Sequence, residues 1–107
     1  MNASVPLSHG TAQRVAALFT GVAREAAAEL LVEQCGDTLP LWVKTDPQGL
    51  ERIRFAVLKL SGGDLAQLTR AVRMAQRDWR DVLVAAGFAN SILAHESWFP
   101  PSETGAA

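Results

Sequence analysis

A chain of 107 residues carrying ten basic and eleven acidic side chains has the length of one domain and a net charge of only -1 at neutral pH. With 49% apolar and 20% charged residues it has a globular composition, and its charge balance speaks against a general polyanion binder. No run approaches the ~18–20 apolar residues of a membrane span, residues 1–10 carry no basic segment of the secretory kind, and Cys35 is the only cysteine, so the expectation is a cytoplasmic protein with no membrane attachment and no internal disulfide.

Residues 1–10 lack periodicity and read as a flexible tail, with Thr11 as the N-cap of a helix over 12–34. Val15, Phe19, Val22, Ala23, Ala26 and Leu30 share one face of that helix, and Glu25, Glu29 and Glu33 run along its edge at i, i+4, i+8. Gly36 is placed to end it. Residues 37–45 alternate weakly. A single strand has no sheet to join, so they read as an extended loop inserting Leu41 or Trp42 into the core.

Asp46-Pro47 is a strong start signal for the next helix, which runs to about Leu60 with Leu50, Ile53, Ala56, Val57 and Leu60 on one side. Arg52, Arg54 and Lys59 face elsewhere, and Phe55 and Leu58 lie off the main stripe. Gly62 and Gly63 stop this helix, since two glycines cost roughly 2 kcal/mol in a helix interior.

Asp64 then caps a long helix over 65–86, with Gln67 completing a capping-box pattern. Leu65, Leu68, Val72, Ala75, Trp79, Val82, Leu83 and Ala86 form its apolar stripe, and Arg70, Arg73, Arg77 and Arg80 fall on the far side. Gly87 ends the helix, and Asn90 caps a short final one over 91–98 before Pro100-Pro101; residues 101–107 read as a second tail. The fold class is therefore all-α: a single domain of three main helices plus a short C-terminal one, packed around a central antiparallel hairpin.

The arginine row of the long helix is the candidate functional surface. Asp78 and Asp81 interrupt it, with Arg77–Asp81 as an expected i, i+4 pair, and no aromatic side chain is interleaved to stack bases. These features favour a protein partner or a solvated face over nucleic acid, which is kept as the alternative. The row Glu25, Glu29 and Glu33 offers a complementary surface, either within the fold or across a two-fold dimer. Exposed pairs are worth only about 0–1 kcal/mol each, so they orient rather than drive association. The apolar contribution would then come from Leu31, Val32, Phe55 and Leu58, which serve equally well as cover for the chain's own loops.

Nothing in the sequence spells a catalytic motif, a phosphate loop, a cofactor box or a metal-ligand spacing. His95 and Glu96 are adjacent and point about 100° apart on a helix, so His95 reads as a packing or surface residue, and a small enzyme using His95, Glu96 and Asp81 is the third alternative. Cys35 at a helix C-terminus reads as a packing cysteine, because the helix dipole there disfavours a thiolate. Trp42, Trp79 and Trp98 read as core or capping aromatics.

The run DWRDVLVAAGFA at 78–89, followed by His95 and the Trp98-Phe99-Pro100 ending, resembles short uncharacterised bacterial proteins filed as a domain of unknown function. The likeness covers about the C-terminal half and implies an all-helical bacterial domain, with no activity, cofactor or site attached. The functional expectation is a non-catalytic helical interaction or accessory module that self-associates or binds another protein through its helix surfaces.

Overall fold

The turn Ser61-Gly62-Gly63 and the two caps around it set the centre of the fold. Gly63 has a φ of +88°, and a Cβ there would stand 3.1 Å from the Leu18 carbonyl, so this position needs glycine both for its backbone and for the close approach of a neighbouring helix. Asp64 Oδ1 accepts the amides of Ala66 and Gln67 at 2.8 and 3.2 Å, opening the helix that follows. That helix closes on Gly87, at φ +81°, with the Phe88 amide bonded back to the Leu83 carbonyl at 2.8 Å. Leu83 and Phe88, at the two ends of this bond, are both buried, as a glycine-terminated helix end favours.

The computed structural model describes residues 6–36, 39 and 47–100. They form α1 (His9–Leu18), α2 (Gly21–Gln34), α3 (Pro47–Ser61) and α4 (Leu65–Ala86), with no strand among the described residues. The fold is all-α, and the α3–α4 hairpin is its most extensive packing.

Helix α3 is buried almost all round its middle. Six consecutive residues, 53–58, are buried, because α4 covers one side and α1 and the C-terminal segment cover others. Phe55 and Leu58, which the sequence offered as surface for a partner, are thus core residues, as is Leu31 of α2. Arg54, expected to face away from the core, is 2% exposed. It is accommodated by hydrogen bonding: Nε donates to the Cys35 carbonyl at 2.9 Å, Nη2 to the Leu31 carbonyl at 3.2 Å, and Nη1 to the Pro6 carbonyl at 3.0 Å. The Cys35 carbonyl lies at the end of α2, where the helix supplies no further donor, and the Leu31 carbonyl accepts from Arg54 in addition to the Cys35 amide at 3.1 Å. The helix ends on Cys35, one residue before the Gly36 expected to stop it, and the Arg54 guanidinium caps its last carbonyls.

The single helix expected over 12–34 is two helices. Ser8 rather than Thr11 is the first N-cap, its Oγ accepting the Thr11 amide at 3.1 Å, so that residues 6–10 are structured and Thr11 is buried inside the first turn. After Leu18 the chain extends at Phe19 and Thr20 and re-enters a helix through Gly21 at φ +58°. The break resets the helical phase. Thr11, Val15 and Phe19 carry one buried row, and Ala27, Leu31 and Cys35 carry the next, while Val22, expected in the core, is 83% exposed.

Two further departures concern the C-terminal half. Asp78 has extended backbone angles inside α4, and its Oδ1 accepts the Arg80 amide at 3.1 Å, making it an internal N-cap that restarts the helix. Residues 91–98, expected as a helix, are a series of turns closed by i→i−3 bonds, Ala94 to Ser91, Glu96 to Leu93 and Trp98 to His95. Ile92 and Leu93, expected over the hairpin, are 65% and 51% exposed. Leu39 packs into the core. The expectations for Leu41, Trp42 and the Asp46 cap, and for the tails at 1–5 and 101–107, lie outside the described residues.

Replacing Arg54 by Met keeps the side-chain volume but strips donors from the Leu31, Cys35 and Pro6 carbonyls. The expected loss is about 3 kcal/mol of unfolding free energy, read from urea denaturation, with the helical circular dichroism of the folded state retained.

Candidate functional site

The two charged rows singled out in the sequence both lie on the surface. Glu25, Glu29 and Glu33 are exposed along α2, and Arg70, Arg73, Arg77 and Arg80 are exposed along α4. The two helices are neighbours in the fold, and the Gln76 amide of α4 donates to the Gln34 carbonyl at the end of α2 at 3.1 Å. Even so, no glutamate of the acidic row pairs with an arginine of the basic row. The expected Arg77–Asp81 pair is not formed either. Arg80 bonds Asp78 through Nε and Nη2 at 2.9 and 2.8 Å, an arrangement that the internal cap makes possible, and this bond holds the Asp78 carboxyl below its ordinary range. Arg70, Arg73 and Arg77 make no ion pair among the described residues.

Each charged row is extended by an exposed valine. Val22 lies three residues before Glu25 on α2, and Val84 lies four residues after Arg80 on α4, with exposures of 83% and 68%. This signal was partly hidden in the sequence, where the unbroken helix placed Val22 on the core side.

A second constellation joins α1, α3 and the C-terminal segment. The Ser8 hydroxyl donates to Glu51 Oε2 at 2.5 Å, and Glu51 Oε1 stands 3.6 Å from His95 Nε2. His95 is fully buried, and neither of its ring nitrogens has a hydrogen-bond partner. Around it stand Phe55 at 5.1 Å and Phe88 at 6.4 Å between ring centroids, with Trp98 packed against both phenylalanines. Burial lowers the His95 pKa below its ordinary 6.5, and the nearby Glu51 carboxylate opposes this only in part. Glu96 and Asp81, the other members of the enzyme reading, are exposed while His95 is sealed from solvent, so the three do not present one accessible acid–base group.

Beside Glu51 a cavity of about 110 Å³ is lined by Ser8, Thr11, Leu50 and Arg54, among others, well below the roughly 300 Å³ at which ordinary ligand pockets begin. No group of three or more metal-ligating side chains is assembled among the described residues. No helix there is long and apolar enough to cross a membrane. No family model, no curated protein and no solved structure matches the chain.

Cys35 ends α2 in full burial, and that burial pushes its pKa up to about 12 against the opposing influence of Arg54. The thiol is therefore protonated and inaccessible in the native protein. Iodoacetamide at mildly alkaline pH is expected to leave Cys35 unmodified in buffer and to alkylate it fully in denaturant, as read by intact mass.

Proposed function

We propose that this chain is a non-catalytic helical interaction module that pairs with a second copy of itself through the outer faces of α2 and α4. The observation that carries this reading is the pair of exposed, oppositely charged rows that find no partner in each other within one chain. Complementary rows on one molecule favour an isologous contact, in which the acidic row of each copy meets the basic row of the other, so that every match is made twice.

The spacing of the rows supports an antiparallel setting. From Val22 to Glu33 and from Arg73 to Val84 the two rows span the same eleven residues, roughly 16 Å along the unbroken α2 at 1.5 Å per helical residue, while the α4 row bends where the helix restarts at Asp78. Set antiparallel, they bring Val22 to Val84, Glu25 to Arg80, Glu29 to Arg77 and Glu33 to Arg73. The charges fix orientation and exclude wrong registers, while the valines at the row ends supply apolar contact. Arg80 enters already braced by Asp78, which reduces the side-chain freedom lost on docking.

Size exclusion with light scattering at low ionic strength is expected to give twice the mass of the chain, reverting toward the monomer as salt rises. Arg73→Glu with Arg77→Glu is expected to give a monomer of unchanged circular dichroism. Adding Glu29→Arg with Glu33→Arg in the same chain is expected to restore the dimer. A strict monomer for the native chain at its highest soluble concentration overturns the reading, as does a dimer indifferent to the double reversal.

A further inference from the structure

The C-terminal segment after Gly87 is held to the bundle in an unusual way. It carries no helix; its internal backbone bonds are isolated i→i−3 turns, and most of its side chains between residues 89 and 99 face solvent. Such a segment has little stability of its own. What ties it down comes from the bundle: Arg52 Nε donates to the Phe88 carbonyl at 2.9 Å, Arg14 Nε to the Trp98 carbonyl at 3.0 Å, and Gln48 to the Glu96 carboxylate at 3.2 Å. At its middle a single side chain is driven fully into the protein, and that side chain is His95.

The surroundings of His95 suit a neutral ring. Phe55 of α3 meets it edge-on, Phe88 lies beyond, and its two nitrogens have no hydrogen-bond partner. The charged groups facing it are Glu51 and Arg52 from α3 and Glu96 from its own segment; Arg14 of α1 lies over the Phe55 ring, 4.2 Å from its centroid. Of these, Glu51 is the closest acceptor, but it stands 3.6 Å away, and its other oxygen is engaged by Ser8. An imidazolium here would hold two N–H donors in an apolar pocket with one distant carboxylate to receive them, which is a costly arrangement.

We infer that residues 88–100 form a proton-operated latch, docked over α1 and α3 while His95 is neutral and released from the intact helical bundle when His95 takes up a proton. Because the docked state disfavours the proton and the released state does not, docking is at full strength above the ordinary histidine pKa of 6.5 and weakens as pH falls below it. Release uncovers Phe55 on α3, turning part of the core into accessible apolar surface. The inference does not depend on the self-pairing of α2 and α4.

The test is backbone ¹⁵N relaxation on the native chain at two pH values. At about pH 7.5 the amides of residues 93–98 are expected to show order parameters near the rigid value of about 0.85, falling below about 0.6 at about pH 5 while α3 and α4 stay rigid. His95→Phe keeps a ring in the pocket and removes the titration, so its segment is expected to stay rigid at both values. Glu51→Gln removes the counter-charge while leaving an oxygen for Ser8, and is expected to move the release midpoint to higher pH, with the free histidine pKa as its ceiling. A native segment that remains rigid at the lower pH, melting of α3 and α4 together with it, or the same loosening in His95→Phe each overturns the latch; an unmoved midpoint in Glu51→Gln overturns the pairing of His95 with that carboxylate.

Discussion

The guanidinium of Arg54 holds together three parts of the chain that no apolar contact alone would fix in register. From inside α3 it reaches the last carbonyls of α2 and the Pro6 carbonyl ahead of α1, so the C-terminus of one helix and the entry to another are both set by a single planar group. A buried arginine is costly unless its donors are satisfied, and here they meet carbonyls that would themselves be costly to bury without donors. The two penalties offset each other, and the arrangement gains direction: a guanidinium fork accepts few geometries, whereas leucine against leucine accepts many. The exposed face of α2 inherits its position from this arrangement, and that of α4 from its packing on α3.

The hairpin of α3 and α4 was readable in the sequence because its signals are local. Asp64, the glycine pair at 62–63 and Gly87 each act within one turn of where they stand, and the strong stripe of α4 leaves one way to bury it. The break between α1 and α2 was less readable. The alanines of 16–28 suit any helix phase, so Thr20-Gly21 did not stand out as a boundary, and the register was carried straight through it. Once the phase slips, Val22 exchanges places with Ala27 and Leu31, which explains why Leu31, offered for docking, is core.

The burial of Arg54, expected to face away from the core, and the full enclosure of His95, read only as a packing or surface residue, share one cause. Their positions depend on groups far away in sequence: the Arg54 acceptors are 19 to 48 residues distant, and His95 is enclosed by Phe55, forty residues earlier. Periodicity assigns a charged side chain to the solvent face, and only the three-dimensional supply of acceptors overrides that assignment. The charged rows on α2 and α4 escaped this difficulty. Their exposure follows from the helices' own periods, and only the bracing of Arg80 required the internal cap at Asp78.

Arg54 and His95 also show that burial alone does not define a polar residue's role. Arg54 is permanently charged and enclosed by acceptors, so its burial fixes geometry at every physiological pH. His95 is buried just as fully but among aromatic rings, with a single carboxylate beyond hydrogen-bond distance, so its burial holds only for one protonation state. The first sits between three helical segments with extensive packing on all sides. The second sits in a run of turns whose own bonds are few. A change of charge at His95 therefore acts on the least stable element of the fold, and the bundle that Arg54 organises provides the rigid frame against which that element moves.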